Sequence, residues 1–212
     1  MTALLYVDLE TTGLEPQHNS IIEAAYILDV DGQIRTRSAF FVSDLDEPLW
    51  QEAALLMHQR TGLLGEWREA RRQKNTLTTK QAESLILGSM RPVIKAGSAK
   101  LAGNSVHFDR GFIHRYMPEL DGFLHYQHVD VSCLNNVFAE FNPRWARDPT
   151  APKPHRALQD ADWSRQRYEE LTAELKRLNL ADVVVPANPD TSSSNPRTSS
   201  TGPFGTITVY SL

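Results

Sequence analysis

Asp8 and Glu10 stand two residues apart at the end of a short apolar run, Leu4 to Val7. In an extended strand, residues i and i+2 point to one face, so this spacing sets two carboxylates side by side. Adjacent anions raise each other's pKa unless a cation compensates. The cation suited to oxygen donors is a hard divalent ion, Mg²⁺ or Mn²⁺. Alone, D-x-E is also what a strand end facing water looks like. Two later segments strengthen the metal reading. Asp109 lies in G-N-S-V-H-F-D, past a short strand and inside a helix start, and Asp160 lies in H-R-A-L-Q-D, five residues after His155. Positions five apart do not share a helix face, so His155 is expected on the loop before the helix. There it can swing over the site while Asp160 ligates from the first turns. Four acids and a histidine on separated elements would form two metal sites with a base beside them. That set suits phosphodiester hydrolysis, with one cation for the attacking water, one for the leaving oxygen, and an imidazole to take the proton.

The elements that must position these residues are readable in outline. Ile21 to Val30 and Ile34 to Val42 read as strands joined by Asp31-Gly32, a hairpin signal, and with the first strand they predict an antiparallel meander. Gln51 to Leu64 carries apolar residues at helical spacing. Thr78-Thr79-Lys80-Gln81 resembles a capping box for a helix running to Lys95. Leu101 to Gly103 and His128 to Val131 read as short strands. Val106 to Met117 reads as a helix stopped near Pro118, and Ser132 can cap the helix after the last strand. A final helix is expected from about His155 to Leu178, with Ala157, Leu158, Ala161, Arg165, Tyr168, Leu171, Leu175 and Leu178 facing inward. A meander followed by strand–helix alternation predicts an α/β fold, a mixed sheet flanked by helices.

The 212-residue chain carries 22 Lys+Arg against 26 Asp+Glu, a formal charge of −4. This balance argues against a broad basic surface for long nucleic acid, though it leaves room for a small phosphate site. The single cysteine, Cys133, rules out an internal disulfide framework and fits a reducing, cytoplasmic setting. There is no 18-residue apolar run, and MTALLYVDLE lacks the basic start of a secretory signal. Residues 181–212 hold 11 Ser/Thr and 4 Pro but only 3 charged residues, so the expected organisation is a domain over 1–180 and a flexible tail over 181–212. Within that tail, Thr206 to Tyr210 is strand-like.

With these motifs in order, the chain resembles the DEDDh 3′–5′ exonucleases of the RNase H-like superfamily. D-L-E-T-T-G (Asp8 to Gly13), L-A-G-N-S-V-H-F-D-R (Leu101 to Arg110) and H-R-A-L-Q-D (His155 to Asp160) are similar to the family's three motifs. Y-M-P-E-L (Tyr116 to Leu120) and H-Y-Q-H-V-D-V-S (His125 to Ser132) bring it nearest the oligoribonucleases. The resemblance covers residues 4–178. It implies an RNase H-like five-stranded mixed sheet, metal binding by Asp8, Glu10, Asp109 and Asp160, and His155 as general base. It further implies Leu14 as an apolar wedge against the terminal bases, and His58 helping to hold substrate. Tyr126 would be offered to the bases of a dimer partner's site, and Ser105 and Ser132 would cap a 5′ phosphate. The implied activity is release of nucleoside 5′-monophosphates from short single-stranded RNA with a free 3′ end, by a homodimer. Two departures bear on the substrate. Gln127 stands where the family has an arginine in the phosphate cap. Ala53 stands where it has a stacking tryptophan, for which Trp50, a turn earlier, is a possible substitute.

Other readings stay open at this level. Gln127 and Ala53 favour a general DEDDh exonuclease on single-stranded DNA or longer RNA, and a catalytically silent binding module is the third class. Leu14 has an ordinary reading as a core residue, Tyr126 as a cross-strand or core aromatic, and His58 as a helix-end dipole partner. Arg68, Arg71, Arg72 and Lys74 read as a solvated helix face, or as steering charge. Glu23 reads as a strand-edge or loop charge, and Asp162 as no ligand. His107, His114, His125 and His128 lack the spacing of a zinc site.

Overall fold

A computed structural model describes residues 2–44, 48–148 and 155–177, together with the backbone of 201–202 and 205–206. The backbone divides into two compact units, Met1–Leu175 and Lys176–Leu212. In the second, β6 (Thr201–Gly202) pairs antiparallel with β7 (Gly205–Thr206). Leu178 and most of the 181–212 segment, including 207–210 of the strand-like stretch, lie outside the described residues.

The first unit is built on a five-stranded mixed sheet of order β3-β2-β1-β4-β5. β1 (Ala3–Thr11), β2 (Ile21–Val30) and β3 (Gln33–Phe41) form the expected antiparallel meander. Asp31 and Gly32 turn the hairpin with φ of 54° and 78°, the two positive angles that a two-residue type I′ turn demands. β4 (Ala99–Gly103) pairs parallel with β1, and β5 (His128–Asp130) parallel with β4. β1 is therefore the seam between the antiparallel and parallel halves. Its last residues, Asp8 to Thr11, run past the end of β4, whose pairing with β1 stops at Tyr6–Ala102. Gly103 lets the two backbones converge there, since a Cβ would sit 2.9 Å from the Val7 carbonyl.

The helices depart from expectation in instructive ways. The stretch from Gln51 is two helices, α1 (Glu52–Thr61) and α2 (Leu63–Arg72), because Gly62 adopts φ 83° and closes α1 with an N–H to the Gln59 carbonyl. α3 (Thr79–Met90) starts on the predicted capping box, with Thr78 and Gln81 bonded reciprocally, but ends short of Lys95, where Pro92 follows. Pro118 ends α4 (His107–Tyr116) and also begins α5 (Pro118–Phe123), occupying a first-turn position whose N–H needs no partner. α6 (Val131–Phe141) is capped by Asp130, not Ser132: the Asp130 carboxylate accepts the N–H groups of Ser132 and Cys133 at 2.8 and 3.1 Å. A single 3₁₀ turn, Pro143–Trp145, precedes α7 (Ala157–Arg177).

One core lies on the β1 face that carries Leu5, Val7 and Leu9, against Ile86, Met90, Phe112 and Leu120 of the middle helices. On the other face Leu4 and Tyr6 pack with Ala161, Leu158 and Tyr168 of α7. The residues of α7 that are fully buried are Ala157, Ala161, Ser164 and Leu171. Ser164 thus occupies the stripe where Arg165 was expected. Arg165 instead pairs with Asp162 and Glu169.

Candidate active site

Strand alternation decides where the acids go. Leu4 and Tyr6 meet α7, so Asp8 and Glu10, two and four residues further along the same face, emerge on the α7 side just where β1 outruns β4. Asp160 comes from the first turn of α7, next to the buried Ala161. Asp109 comes from the first turn of α4 and is buried, its Oδ1 accepting the Leu9 N–H at 3.0 Å, which ties that helix to β1. His155 precedes α7 on a loop, with φ 48°. Ligand atoms of Glu10, His155 and Asp160 all lie within 4.8 Å of one another, the one such group of metal-binding side chains among the described residues. Asp8 and Asp109 stand outside that group and couple to it through charge.

Electrostatics mark the cluster as short of cations. Burial, then the carboxylates of Asp109, Glu10 and Asp160, push Asp8 well above the usual carboxylate range. Burial, then Asp160, Glu23 and Asp109, push Glu10 up to about 8. Burial, with a smaller push from the Asp130 carboxylate, outweighs the hydrogen bond from Leu9 and lifts Asp109 to about 8. Hard oxygen donors with one imidazole, in a cluster that resists ionisation, are the donor set and the charge that a divalent cation fits.

These residues open on a cavity of about 580 Å³. Asp8, Glu10, His155 and Asp160 line one part, and Asn104, Ser105, Ser132, Arg147 and Trp163 contribute elsewhere. The Ser105 N–H donates to Ser132 Oγ at 3.1 Å and to Asp130 Oδ1 at 3.2 Å, with Ser105 at φ 51°. Asn104 is the hub of that side: its Nδ2 donates to Ser164 Oγ at 2.6 Å, and its Oδ1 accepts from Arg147 and from Ser132. Burial and the nearby Arg167 pull the Arg147 guanidinium below its usual pKa. Arg167 is occupied by Asn135, Glu170 and the Trp145 carbonyl.

The remaining expected contacts divide. Leu14 is 70% exposed and not on the cavity wall, on a turn strapped to the 49–51 segment: its N–H donates to Gln51 Oε1, and the Thr12 hydroxyl to the Leu49 carbonyl. It is not a core residue. His58 is 0% exposed and not on the cavity wall. Its Nε2 bonds the Thr11 carbonyl at 2.9 Å, its Nδ1 lies 3.8 Å from Glu10, and burial lowers its pKa. Tyr126 is 79% exposed, stacked on His125 with ring centroids 4.6 Å apart and away from its own cavity. Trp50 packs edge-on against His58 and Trp67. None of His107, His114, His125 and His128 joins a three-ligand group among the described residues. Asp162 is engaged by Arg165 and Gln166.

Glu23 corrects the sequence reading. It is neither an edge nor a loop charge but is buried near the start of β2, an interior strand of the sheet, and is bonded to the backbone and side chain that follow His155. Sequence reasoning also passed over Arg147, Asn104 and Trp163. Two of them had a signal: Trp163 is three residues past Asp160 and so shares its helix face, and Asn104 sits inside the G-N-S motif.

Residues 5–166 match the family model described as exonuclease. The chain is 34% identical to an oligoribonuclease of Rhodococcus jostii, over 89% of this chain and 92% of that one. It is 35% identical to an oligoribonuclease of Coxiella burnetii, over 79% of this chain and 90% of that one. Among solved structures, E. coli exonuclease I in complex with a 5cy-dT13 oligonucleotide superposes with a TM-score of 0.61 at 17% identity, covering 84% of this chain and 42% of that one. The zinc ion bound form of the E. coli exonuclease I complex with single-stranded DNA gives 0.56 at 18% identity, covering 86% and 42%. The chain thus spans under half the length of these structural neighbours, and their likeness concerns the fold.

Proposed function

This chain belongs to the exonuclease family and, within it, to the oligoribonucleases, and we propose on that footing that it removes nucleoside 5′-monophosphates from the 3′ end of short single-stranded oligoribonucleotides. The observation that carries this reading is the convergence of Glu10, His155 and Asp160 within 4.8 Å, beside Asp8, in a cavity that also offers Ser105, Ser132 and Arg147. Asp8, Glu10, Asp109 and Asp160 would hold two divalent cations, Mg²⁺ or Mn²⁺. Bound there, these supply the positive charge and Lewis acidity that phosphodiester hydrolysis needs. The work of the chain itself is positional. His155, on its loop, takes the proton of the attacking water. Leu14, projecting from its strapped turn, lies against the terminal bases, and Trp163 offers a stacking face from α7. Tyr126 is exposed and lines no part of its own cavity, which suits reciprocal service to a second copy in a C2 homodimer.

The phosphate end of the cavity answers the loss of the family arginine at Gln127. Gln127 is exposed and lines no part of the cavity, whereas Arg147 does, held by Asn104 next to Ser105 and Ser132. A guanidinium is the donor suited to a phosphate. Arg147→Ala is expected to raise KM for a 5′-phosphorylated dinucleotide about tenfold, the scale of one charge-assisted hydrogen bond, with kcat changed little. Steady-state kinetics on that dinucleotide checks it.

The function itself is tested by time courses on 5′-labelled RNA of two, five and twenty nucleotides and the matching DNAs, with Mg²⁺, Mn²⁺ or EDTA. Fastest loss of the dinucleotide RNA, abolished by EDTA, is the expected result. Equal or faster trimming of the long strands would identify a general single-strand exonuclease instead.

A further inference from the structure

Taking the exonuclease reading as given, we propose that Glu23 is a positioning residue for His155, a buried carboxylate that fixes the entry of α7 and with it the imidazole beside the acidic cluster. Glu23 lies directly across from Glu10 in the β1–β2 register and is 5% exposed. Two carboxylates facing each other across a strand pair repel, and a carboxylate seldom stays buried without strong partners. The partners it has all belong to one short segment. Its Oε2 accepts the Ala157 N–H at 3.0 Å, and its Oε1 accepts from Arg156 Nη2 at 3.2 Å.

The first bond is a helix cap supplied from outside the helix. The opening N–H groups of α7 have no partner within it, and the positive end of its dipole favours an anion. The second is completed by Glu66 of α2, which pairs with Arg156 Nη1 at 2.9 Å. Arg156 therefore bridges β2 and α2, and the backbone just after it is held through the Ala157 N–H. His155 is the residue immediately before, at φ 48°. A non-glycine residue keeps that conformation only where its surroundings over-determine it, and these three bonds do so. Both Glu23 oxygens are engaged by this one segment.

The test is a double-mutant cycle on a five-nucleotide RNA at saturating divalent metal. Glu23→Gln keeps the shape and one acceptor for Ala157 but loses the ion pair. It is expected to lower kcat roughly tenfold to thirtyfold, the scale of a small misplacement of a catalytic group, with KM within twofold of wild type. In a His155→Ala background, the same substitution should lower kcat by less than twofold further, because Glu23 acts through that histidine. Should Glu23→Gln fail to fold, Arg156→Lys takes its place in the cycle. A lysine cannot span both carboxylates, and the same loss and non-additivity are expected. The proposal is overturned by a wild-type-like kcat in Glu23→Gln, or by an equal loss with and without His155. A wild-type protein that cleaves no oligonucleotide would strike the exonuclease reading itself, whereas an active wild type with an indifferent Glu23→Gln strikes the positioning role alone.

Discussion

Asp8→Asn and Asp109→Asn are each expected to lower turnover about a thousandfold or more, the order that follows when several kcal/mol of metal-borne charge stabilisation disappear. Both variants should nevertheless fold, and in metal-free buffer at pH 8 both should melt higher than the wild type. The reason lies in the charge count. Asp8 resists ionisation because it is buried against Asp109, Glu10 and Asp160. Asp109 is buried with its Oδ1 committed to the Leu9 N–H, an acceptor that asparagine retains. Removing one anion from such a cluster relieves repulsion that only a bound cation would otherwise offset. Single-turnover assays paired with thermal melts in EDTA check both halves. Near-full turnover in either variant would remove that residue from the catalytic set, and lower metal-free stability would show that the cluster is not frustrated.

Metal-free wild-type protein is expected to lose stability as pH rises from about 5 to about 8, and saturating divalent metal is expected to restore it most at the upper end. The sign follows from linkage. The folded-state values of Glu10 and Asp109 are raised to about 8, whereas unfolded carboxylates titrate near 4. Across that window the native state binds more protons than the unfolded chain, so unfolding free energy falls with increasing pH. The penalty is absent below the unfolded values and complete above the folded ones, and its size is on the order of a few kcal/mol. Calorimetric melts at pH 5.5, 7 and 8, with EDTA and with Mg²⁺ or Mn²⁺, would show it. A flat or rising metal-free profile would contradict it. Metal binding at pH 7 should also release protons, measurable by titration in buffers of different ionisation enthalpy.

The parts of the molecule legible in the sequence were those where local chemistry and tertiary context agree. Strand alternation placed Asp8 and Glu10 on one face, and the H-x₄-D spacing put His155 off the helix that carries Asp160. Asp31-Gly32 marked its hairpin, and Thr78 to Gln81 their helix start. Most of the misses share a cause, which is that a residue's partner lay far away in the chain, and Ser132 is the local exception. Ser132 looked like a cap because serine often is one, yet Asp130 outcompetes it with a carboxylate two residues earlier, leaving the Ser132 hydroxyl for Ser105. Gly62 read as one more residue in an apolar pattern, whereas it caps α1 at φ 83° and α2 then packs Leu63, Leu64 and Trp67 with Ile22. Glu23 has no local signature at all. Its meaning depends on a bond to Ala157, 134 residues later. Arg147 likewise acquires a role only through Asn104, 43 residues away.

The same long separations carry a consequence for biosynthesis. Asp8 and Glu10 are among the first residues made, whereas Asp109 joins them across 100 residues of chain and the His155 loop is latched to β2 across 134. A ribosome adding roughly 5–20 residues per second therefore displays the first two carboxylates for many seconds before the fourth exists. On the proposed assignment, no nascent fragment short of α7 carries both His155 and Asp160, so the set of acids and base is complete only once that helix has been made. Hydrolytic competence would then wait for α7, the element that carries Asp160.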